Sequence, residues 1–95
     1  MTVNDRVMAD SLAVLREEFD DWAILFNPDS GDAFGLNPVS VFIWKMLDGQ
    51  HTIQDIVDDL RDKCKGVPED AEKPVINFVQ DLVDKGLAGY ELQKG

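Results

Sequence analysis

Residues 37–49, Asn37-Pro-Val-Ser-Val-Phe-Ile-Trp-Lys-Met-Leu-Asp-Gly49, contain the start and stop signals of one short helix. Asn37 and Pro38 are typical of the N-cap and of the first helical position. The residues that follow are apolar almost all the way around the helix, and Gly49 is typical of a C-terminal cap. The stretch therefore predicts the central, most deeply buried helix of a small domain.

Two short apolar runs upstream of this helix predict β-strands. Trp22–Phe26 and Ala33–Leu36 have strand length and are separated by Asn-Pro-Asp-Ser-Gly at positions 27–31. Proline presets φ and glycine accepts a positive φ, so this separator is a strong turn signal. We expect a hairpin, with Leu12–Phe19 as a possible third strand.

Two further helices and a final strand are predicted downstream. Thr52 and Asp55 have the spacing of a capping box, and the helix they begin carries an apolar stripe at 3.6-residue spacing. The members of that stripe are Ile53, Ile56, Val57, Leu60 and Cys64. A third helix is expected from about Asp70 to Lys85, where Pro74 is tolerable in the first turn, and Leu87–Leu92 is expected to form a short strand.

The order of these elements predicts an α+β fold. A small N-terminal antiparallel three-stranded sheet is expected to pack on a three-helix winged-helix core. The single domain is expected to span residues 12–92. Residues 1–11 show no sustained periodicity and are expected to form a flexible N-terminal arm.

Composition excludes several classes of function. The chain has 95 residues, a formal net charge of −10, one cysteine and one histidine. One cysteine and one histidine cannot build an internal disulfide or a multi-cysteine metal site, so no metal and no cofactor are expected. Phosphate-binding and nucleophile-elbow motifs are missing from the sequence, which argues against an enzyme. No apolar run is long enough for a membrane span, so we expect a cytoplasmic protein without a membrane partner.

Nucleic acid is also disfavoured as a partner. In a winged-helix arrangement the third helix would read DNA, but here it carries more acidic than basic residues and phosphates would repel it. The same helix has an apolar arc of about 160°, wider than the ~100° that a surface helix usually needs. Ile76 and Val83 lie at one edge of this arc, beside Lys73 and Gln80. That edge is either a docking surface or simply more fully wrapped by the domain.

Several motifs follow one another along the chain in a specific order and spacing. The first run is Leu36-Asn-Pro-Val-Ser40, Ile43-Trp44, Leu47-Asp-Gly49 and Thr52-Ile-Gln-Asp-Ile56, and a later one is Val75-Ile-Asn-Phe-Val-Gln-Asp-Leu82 followed by Lys85-Gly-Leu87. Together they resemble the motifs of PqqD-like proteins, in which the later run corresponds to the closing motif and residues 23–31 to the first hairpin. The likeness covers roughly residues 14 to 88, with mild departures at 39–41 and at Met46.

This resemblance implies a RiPP recognition element, a non-catalytic peptide chaperone for ribosomally made and post-translationally modified peptides. Such domains hold the leader segment of a precursor peptide between the third strand and the third helix. They present it to a modifying enzyme, often a radical-SAM maturase. The runner-up is a winged-helix transcriptional regulator or another protein-interaction subunit.

Strand addition gives the binding a physical basis. The edge at Asp32–Leu36 offers unpaired N–H and C=O groups, and small residues on it let a peptide backbone come close. On the helix, apolar side chains would form pockets, and Lys73 would meet an acidic residue of the leader. The candidate peptide-binding residues are Asp32, Ala33, Phe34, Gly35, Leu36, Lys73, Ile76, Gln80 and Val83.

Overall fold

Two small antiparallel sheets and three helices form the fold of the computed structural model, which describes residues 2–63, 66–67 and 70–90. The strands are β1 (Arg6–Ala9), β2 (Val14–Glu17), β3 (Ala23–Phe26), β4 (Ala33–Leu36), β5 (Asp48–Thr52) and β6 (Ala88–Tyr90). The helices are α1 (Pro38–Lys45), α2 (Ile53–Lys63) and α3 (Glu72–Asp84), and Phe19–Asp21 forms one 3₁₀ turn. The α+β class expected from the sequence is confirmed.

The first sheet has the strand order β2-β3-β4 and contains the predicted hairpin. Its central strand β3 alternates between the two faces, with Ala23 and Leu25 buried while Ile24 and Phe26 are exposed. Period-two burial of this kind is expected for a sheet that covers a core on one side only. Val14–Glu17 is the third strand, within the range predicted for it.

Helix α1 begins as predicted but ends earlier. The Asn37 side chain accepts a hydrogen bond from the Ser40 N–H at 2.8 Å, and Pro38 is the first helical residue. The helix ends at Lys45, and Gly49 lies inside β5 instead of capping the helix. Gly49 has a positive φ of 78°, which allows the irregular pairing of β5 with β1. In this pairing five residues of β5 oppose three of β1.

The prediction of a flexible arm over residues 1–11 is wrong for Arg6–Ala9. These residues form β1, the central strand of a second sheet with the order β5-β1-β6. Val7 is 1% exposed, and β1 pairs with a strand on each side. A four-residue strand with a single buried side chain has too little periodicity to be recognised, and both of its partners lie far away in the sequence.

Helices α2 and α3 supply much of the core. The predicted stripe on α2 is buried at Ile53, Ile56, Val57 and Leu60, whereas Cys64 lies outside the described residues. Helix α3 starts at Glu72, two residues after the predicted Asp70, and Ala71 takes the N-cap position without a side-chain hydrogen bond. Pro74 falls in the first turn of α3, where a missing N–H breaks no intrahelical bond. Of the predicted final strand, residues 88–90 are confirmed, and 91–92 lie outside the described residues.

The first prediction concerns the N-terminal strand. Val7→Ala removes two methyl groups from a fully buried position, so it should lower the free energy of unfolding by roughly 2 kcal/mol. Met8→Ala is the control, because Met8 is 47% exposed and should change stability by less than about 0.5 kcal/mol. Urea denaturation followed by circular dichroism measures both. Equal stability of Val7→Ala and the wild type would mean that β1 is not part of the core.

The second prediction concerns acid stability at the start of α2. The Thr52 N–H donates to the Asp55 carboxylate at 3.0 Å, and this bond holds the pKa of Asp55 below its usual 3.8. Because folding lowers this pKa, the stabilisation is complete above 3.8 and is lost as the pH falls through the folded-state value. Asp55→Asn cannot titrate, so its stability should fall less steeply than that of the wild type between about pH 5 and pH 2. Parallel stability curves in urea titrations at several pH values would contradict the capping role.

Candidate functional site

A groove of about 470 Å³ runs between β4 and α3. One wall is the backbone of β4, and the other is a single face of α3. Ser40, in the first turn of α1, closes one end. The lining residues are Ala33, Phe34, Gly35, Leu36, Ser40, Phe78, Asp81, Leu82 and Lys85.

The β4 wall is a sheet edge. In the order β2-β3-β4, only one side of β4 is paired within the described part of the chain. The main chain N–H of Asn27 donates to the carbonyl of Asp32 at 2.9 Å, so these two residues form a hydrogen-bonded pair. Such pairs alternate along an antiparallel ladder, and the register places Phe34 opposite Leu25 two residues further on. The N–H and C=O groups of Phe34 therefore point to β3, whereas those of Ala33 and Gly35 point to the open edge.

The side chains of β4 also alternate, and they point in turn to the two faces of the first sheet. Leu36 is buried and Phe34 is half-buried, so both face the core and the floor of the groove. Ala33 and Gly35 are exposed on the opposite face, and a Cβ added at Gly35 would meet no atom within 4 Å. No bulky side chain of β4 therefore blocks a backbone that approaches this edge.

The α3 wall consists of Phe78, Asp81, Leu82 and Lys85, which are spaced i, i+3, i+4 and i+7. Residues at this spacing share one face of a helix. Leu82 is buried and Phe78 is half-buried, so the middle of this wall is apolar. The groove is thus an apolar channel between a backbone edge and a helix face.

Lys85 organises the end of the groove that lies away from Ser40. Its ammonium group pairs with the Asp81 carboxylate one helical turn earlier and lies 5.2 Å from the centre of the Phe34 ring. The carbonyl of Lys85 accepts a hydrogen bond from the Asn27 side chain at 3.4 Å. These contacts connect the hairpin to the C-terminal end of α3. The contacts with Phe34 and Asn27 therefore link the two walls of the groove at this end.

The predicted site residues divide into two groups. Ala33, Phe34, Gly35 and Leu36 line the groove, and Asp32 precedes them as an exposed residue at the start of the edge.

The helix residues of the prediction lie elsewhere. Ile76 lies about 160° around the helix axis from Phe78, given 100° per residue. Val83 lies on the same face as Ile76, and both pack partly against the core. Lys73 and Gln80 follow the same side, where Gln80 donates to Asp84 at 3.0 Å. The expectation that these four residues face the strand edge is therefore wrong.

The groove therefore lies at the other edge of the apolar arc from the one that the sequence predicts. Phe78 and Leu82, near the centre of that arc, line the groove. The signal that identifies them is their combination with Lys85 at helical spacing, directly after Asp84, the last residue of α3. The Lys85 ammonium lies over the Phe34 ring of the hairpin. The face of α3 that carries Lys85 is therefore the face that meets β4.

Residues 2–63, 66–67 and 70–90 contain no cluster of three or more His, Cys, Asp or Glu side chains that could hold a metal ion. No helix within the same residues is long and apolar enough to cross a membrane. The one histidine, His51, lies 3.0 Å from the Asp48 carboxylate, whose pKa is lowered chiefly by a hydrogen bond from the Gln50 N–H. This pair forms part of β5 and lies outside the groove.

Comparison with known proteins gives one family and two solved structures. The family model described as coenzyme PQQ synthesis protein D (PqqD) matches residues 23–88, well over half of the chain. A structure of TbiB1 in complex with the TbiA(beta) leader peptide has a TM-score of 0.71 at 24% identity and covers 93% of this chain and 99% of its own. A structure of lasso peptide synthetase B1 complexed with the leader peptide has a TM-score of 0.73 at 21% identity, with 88% and 98% covered. No curated protein sequence matches significantly. The two structural likenesses establish a shared fold.

Proposed function

The chain belongs to the PqqD family, and from this premise we propose that it is a peptide chaperone for ribosomally made precursors. It binds the leader segment of a precursor peptide by adding that segment as a fourth strand to the first sheet. It then presents the precursor to a modifying enzyme. We place this chaperone role in the biosynthesis of RiPPs or in a pathway of the pyrroloquinoline quinone type.

The observation that carries this proposal is the open edge of β4 above an apolar groove. Ala33 and Gly35 direct two N–H and two C=O groups toward the place where a peptide backbone would lie. An added strand satisfies these groups, and its alternate side chains point into the groove between β4 and α3. Phe34, Phe78 and Leu82 offer apolar contacts to those side chains.

The solved structures support a leader peptide as the ligand. Both similar proteins, TbiB1 and lasso peptide synthetase B1, are described in complex with leader peptides. Each matches this chain over nearly its whole length, so the elements that form the groove have counterparts in the shared fold. Binding of a leader peptide is accordingly the function that we assign to the groove here.

The proposed role needs no catalytic group of its own. The groove contains one charged pair, Asp81 with Lys85, and otherwise apolar or small residues and Ser40. Chemistry on the precursor therefore falls to the partner enzyme, for which a radical-SAM maturase is our candidate. A cytoplasmic location fits a protein that meets newly synthesised precursors.

A DNA-binding role has less support. Helix α3 would be the reading helix of a winged-helix regulator, yet it carries Glu72, Asp81 and Asp84 against Lys73. The whole chain has a net charge of −10, so phosphate backbones would be repelled. Protein or peptide partners are compatible with this charge.

The third prediction tests the strand edge. Gly35→Pro removes an outward N–H, so a carbonyl of the bound peptide loses its donor at a typical cost of about 1–3 kcal/mol. Affinity for the leader should fall at least about fivefold. Gly35→Ala keeps the N–H and adds a Cβ with open space around it, so it should bind within about twofold of the wild type. Isothermal titration calorimetry with a synthetic leader of the precursor encoded beside this chain's gene measures both. Equal binding by the proline and alanine variants would argue against strand addition.

The fourth prediction tests which face of α3 meets the peptide. Phe78→Ala truncates the largest apolar side chain of the α3 wall and should weaken leader binding roughly tenfold or more. Ile76→Ala is the matched control, because Ile76 is also half-buried on α3 but lies on the other side of the helix. It should bind within about twofold of the wild type, provided that both variants are folded by circular dichroism. A larger loss for Ile76→Ala than for Phe78→Ala would transfer the site to the opposite face.

A further inference from the structure

Half of the side chains of an added strand would point away from the groove. Ala33 and Gly35 direct their N–H and C=O groups to the open edge, so one peptide residue lies opposite each of them. Because the pleats of neighbouring strands are in phase, directly opposite residues carry their side chains on the same face of a sheet. The peptide residues opposite Ala33 and Gly35 therefore project onto the outer face of the first sheet, the face turned away from the core.

The outer face is apolar and low next to this edge. The cross-strand neighbour of Gly35 is Ile24, which is 38% exposed. The neighbour of Ala33 is Phe26, which is 39% exposed. Only a hydrogen atom and a methyl group therefore stand between the peptide and these two large side chains. We call the surface formed by Ile24, Phe26, Ala33 and Gly35 the outer shelf.

Gly35 leaves one flank of Ile24 uncovered. The register that makes Phe34 and Leu25 a hydrogen-bonded pair makes Gly35 and Ile24 a non-hydrogen-bonded pair, the kind in which side chains approach most closely. A Cβ built at Gly35 would meet no atom within 4 Å, so the space above this glycine is open. An aromatic ring laid across an edge glycine fills such a space and pins the register of the strand. Adjoining exposed apolar side chains, unlike scattered ones, mark interaction sites.

We propose that the outer shelf takes an aromatic side chain of the bound peptide, from the peptide residue opposite Gly35. This inference rests on the proposed function and adds a requirement on the second face of the peptide. The ring lies across Gly35 and packs on Ile24, whose strand is two strand spacings, or about 9–10 Å, from the peptide backbone. An aromatic side chain extends far enough to meet the Ile24 side chain, whereas alanine, serine or valine is too short.

The chemistry of the outer shelf favours an apolar ring over a charged group. None of its four residues is ionisable, so a charged side chain would find no partner on it. A ring that covers Ile24 removes apolar surface from water on both molecules. The recognised peptide therefore carries large apolar residues on both of its faces at this point. A strict alternation of apolar and polar residues would fill the groove and leave the outer shelf bare.

The first test uses the wild-type chain and the synthetic leader. A ring stacked on Ile24 shields it, so the δ-methyl proton signal of Ile24 should move upfield in NMR titrations. The methyl signals of Val14 are the control, because Val14 lies on the same face but on β2, three strand spacings or about 14 Å from the peptide. They should stay in place. A leader that shifts the amide signals of Ala33–Leu36 but leaves the Ile24 methyl signal unmoved would overturn the proposal.

The second test compares Ile24→Thr with Val14→Thr. Each replaces an exposed β-branched aliphatic side chain on the outer face by threonine, which keeps the preference for a strand. Ile24→Thr should weaken leader binding about fivefold in calorimetry, and Val14→Thr should bind within about twofold of the wild type. Circular dichroism checks that both are folded, and the methyl titration decides the question if Ile24→Thr is not.

The third test examines the peptide side of the contact. Cross-strand nuclear Overhauser effects to Gly35 identify the peptide residue opposite it. Replacing that residue by alanine should weaken binding to the wild type about tenfold, and clearly less to Ile24→Thr, because two side chains in contact are energetically coupled. Losses that simply add would overturn the proposal, and so would a small or charged residue at that position.

These outcomes separate the inference from the proposed function. If the leader binds and both threonine variants match the wild type in affinity, the outer shelf is wrong and the chaperone role stands. If the leader does not bind the wild type, both proposals fail.

Discussion

The rest of the site depends on the register of the β3–β4 hairpin. The hydrogen-bonded pair of Asn27 and Asp32 sets which residues of β4 turn their backbone inward. A shift of one residue would direct the groups of Phe34 to the open edge and would move Phe34 and Leu36 away from the core. Because Leu36 is buried and Phe34 packs under Lys85, that shift would be costly. Core packing therefore fixes the hydrogen-bonding pattern of the edge, and the edge fixes where a peptide can pair.

The parts of this arrangement that are encoded locally could be predicted from the sequence. The Asn37–Pro38 helix start, the Thr52–Asp55 capping box and the hairpin around 27–31 each depend on neighbouring residues, and all three are present. The second sheet could not be predicted, because β1 pairs with strands some 40 and 80 residues away. Its sequence carries no pattern that would reveal those partners. The role of Gly49 is ambiguous in the sequence for another reason, since a positive φ suits both a helix cap and an irregular strand.

The face of α3 that lines the groove could not be predicted from the sequence, for a different reason. The width of the apolar arc on α3 left open whether the edge at Ile76 and Val83 meets a partner or is wrapped by the domain, and in the structure both side chains pack partly against the core. It did not indicate which edge of the arc faces β4, because helical periodicity gives angles relative to the helix and not to the sheet. Burial of Val75, Val79 and Leu82 sets the rotation of α3 in the structure. The face that meets β4 is marked by the contacts of Lys85 with Phe34 and with Asn27. They connect residues more than fifty positions apart, which the periodicity of a single helix cannot reveal.

A backbone edge keeps its capacity to pair while side chains diverge. The similar structures share 24% and 21% identity with this chain over nearly their full lengths. Main-chain N–H and C=O groups are present whatever the side chains are, so an edge strand keeps its capacity to pair as the sequence changes. Backbone pairing alone, however, accepts a peptide in any register that is offset by two residues. Side-chain pockets must select among those registers. In this chain the side chains that line the groove can make that selection: the apolar Phe34, Phe78 and Leu82, together with the charged pair of Asp81 and Lys85.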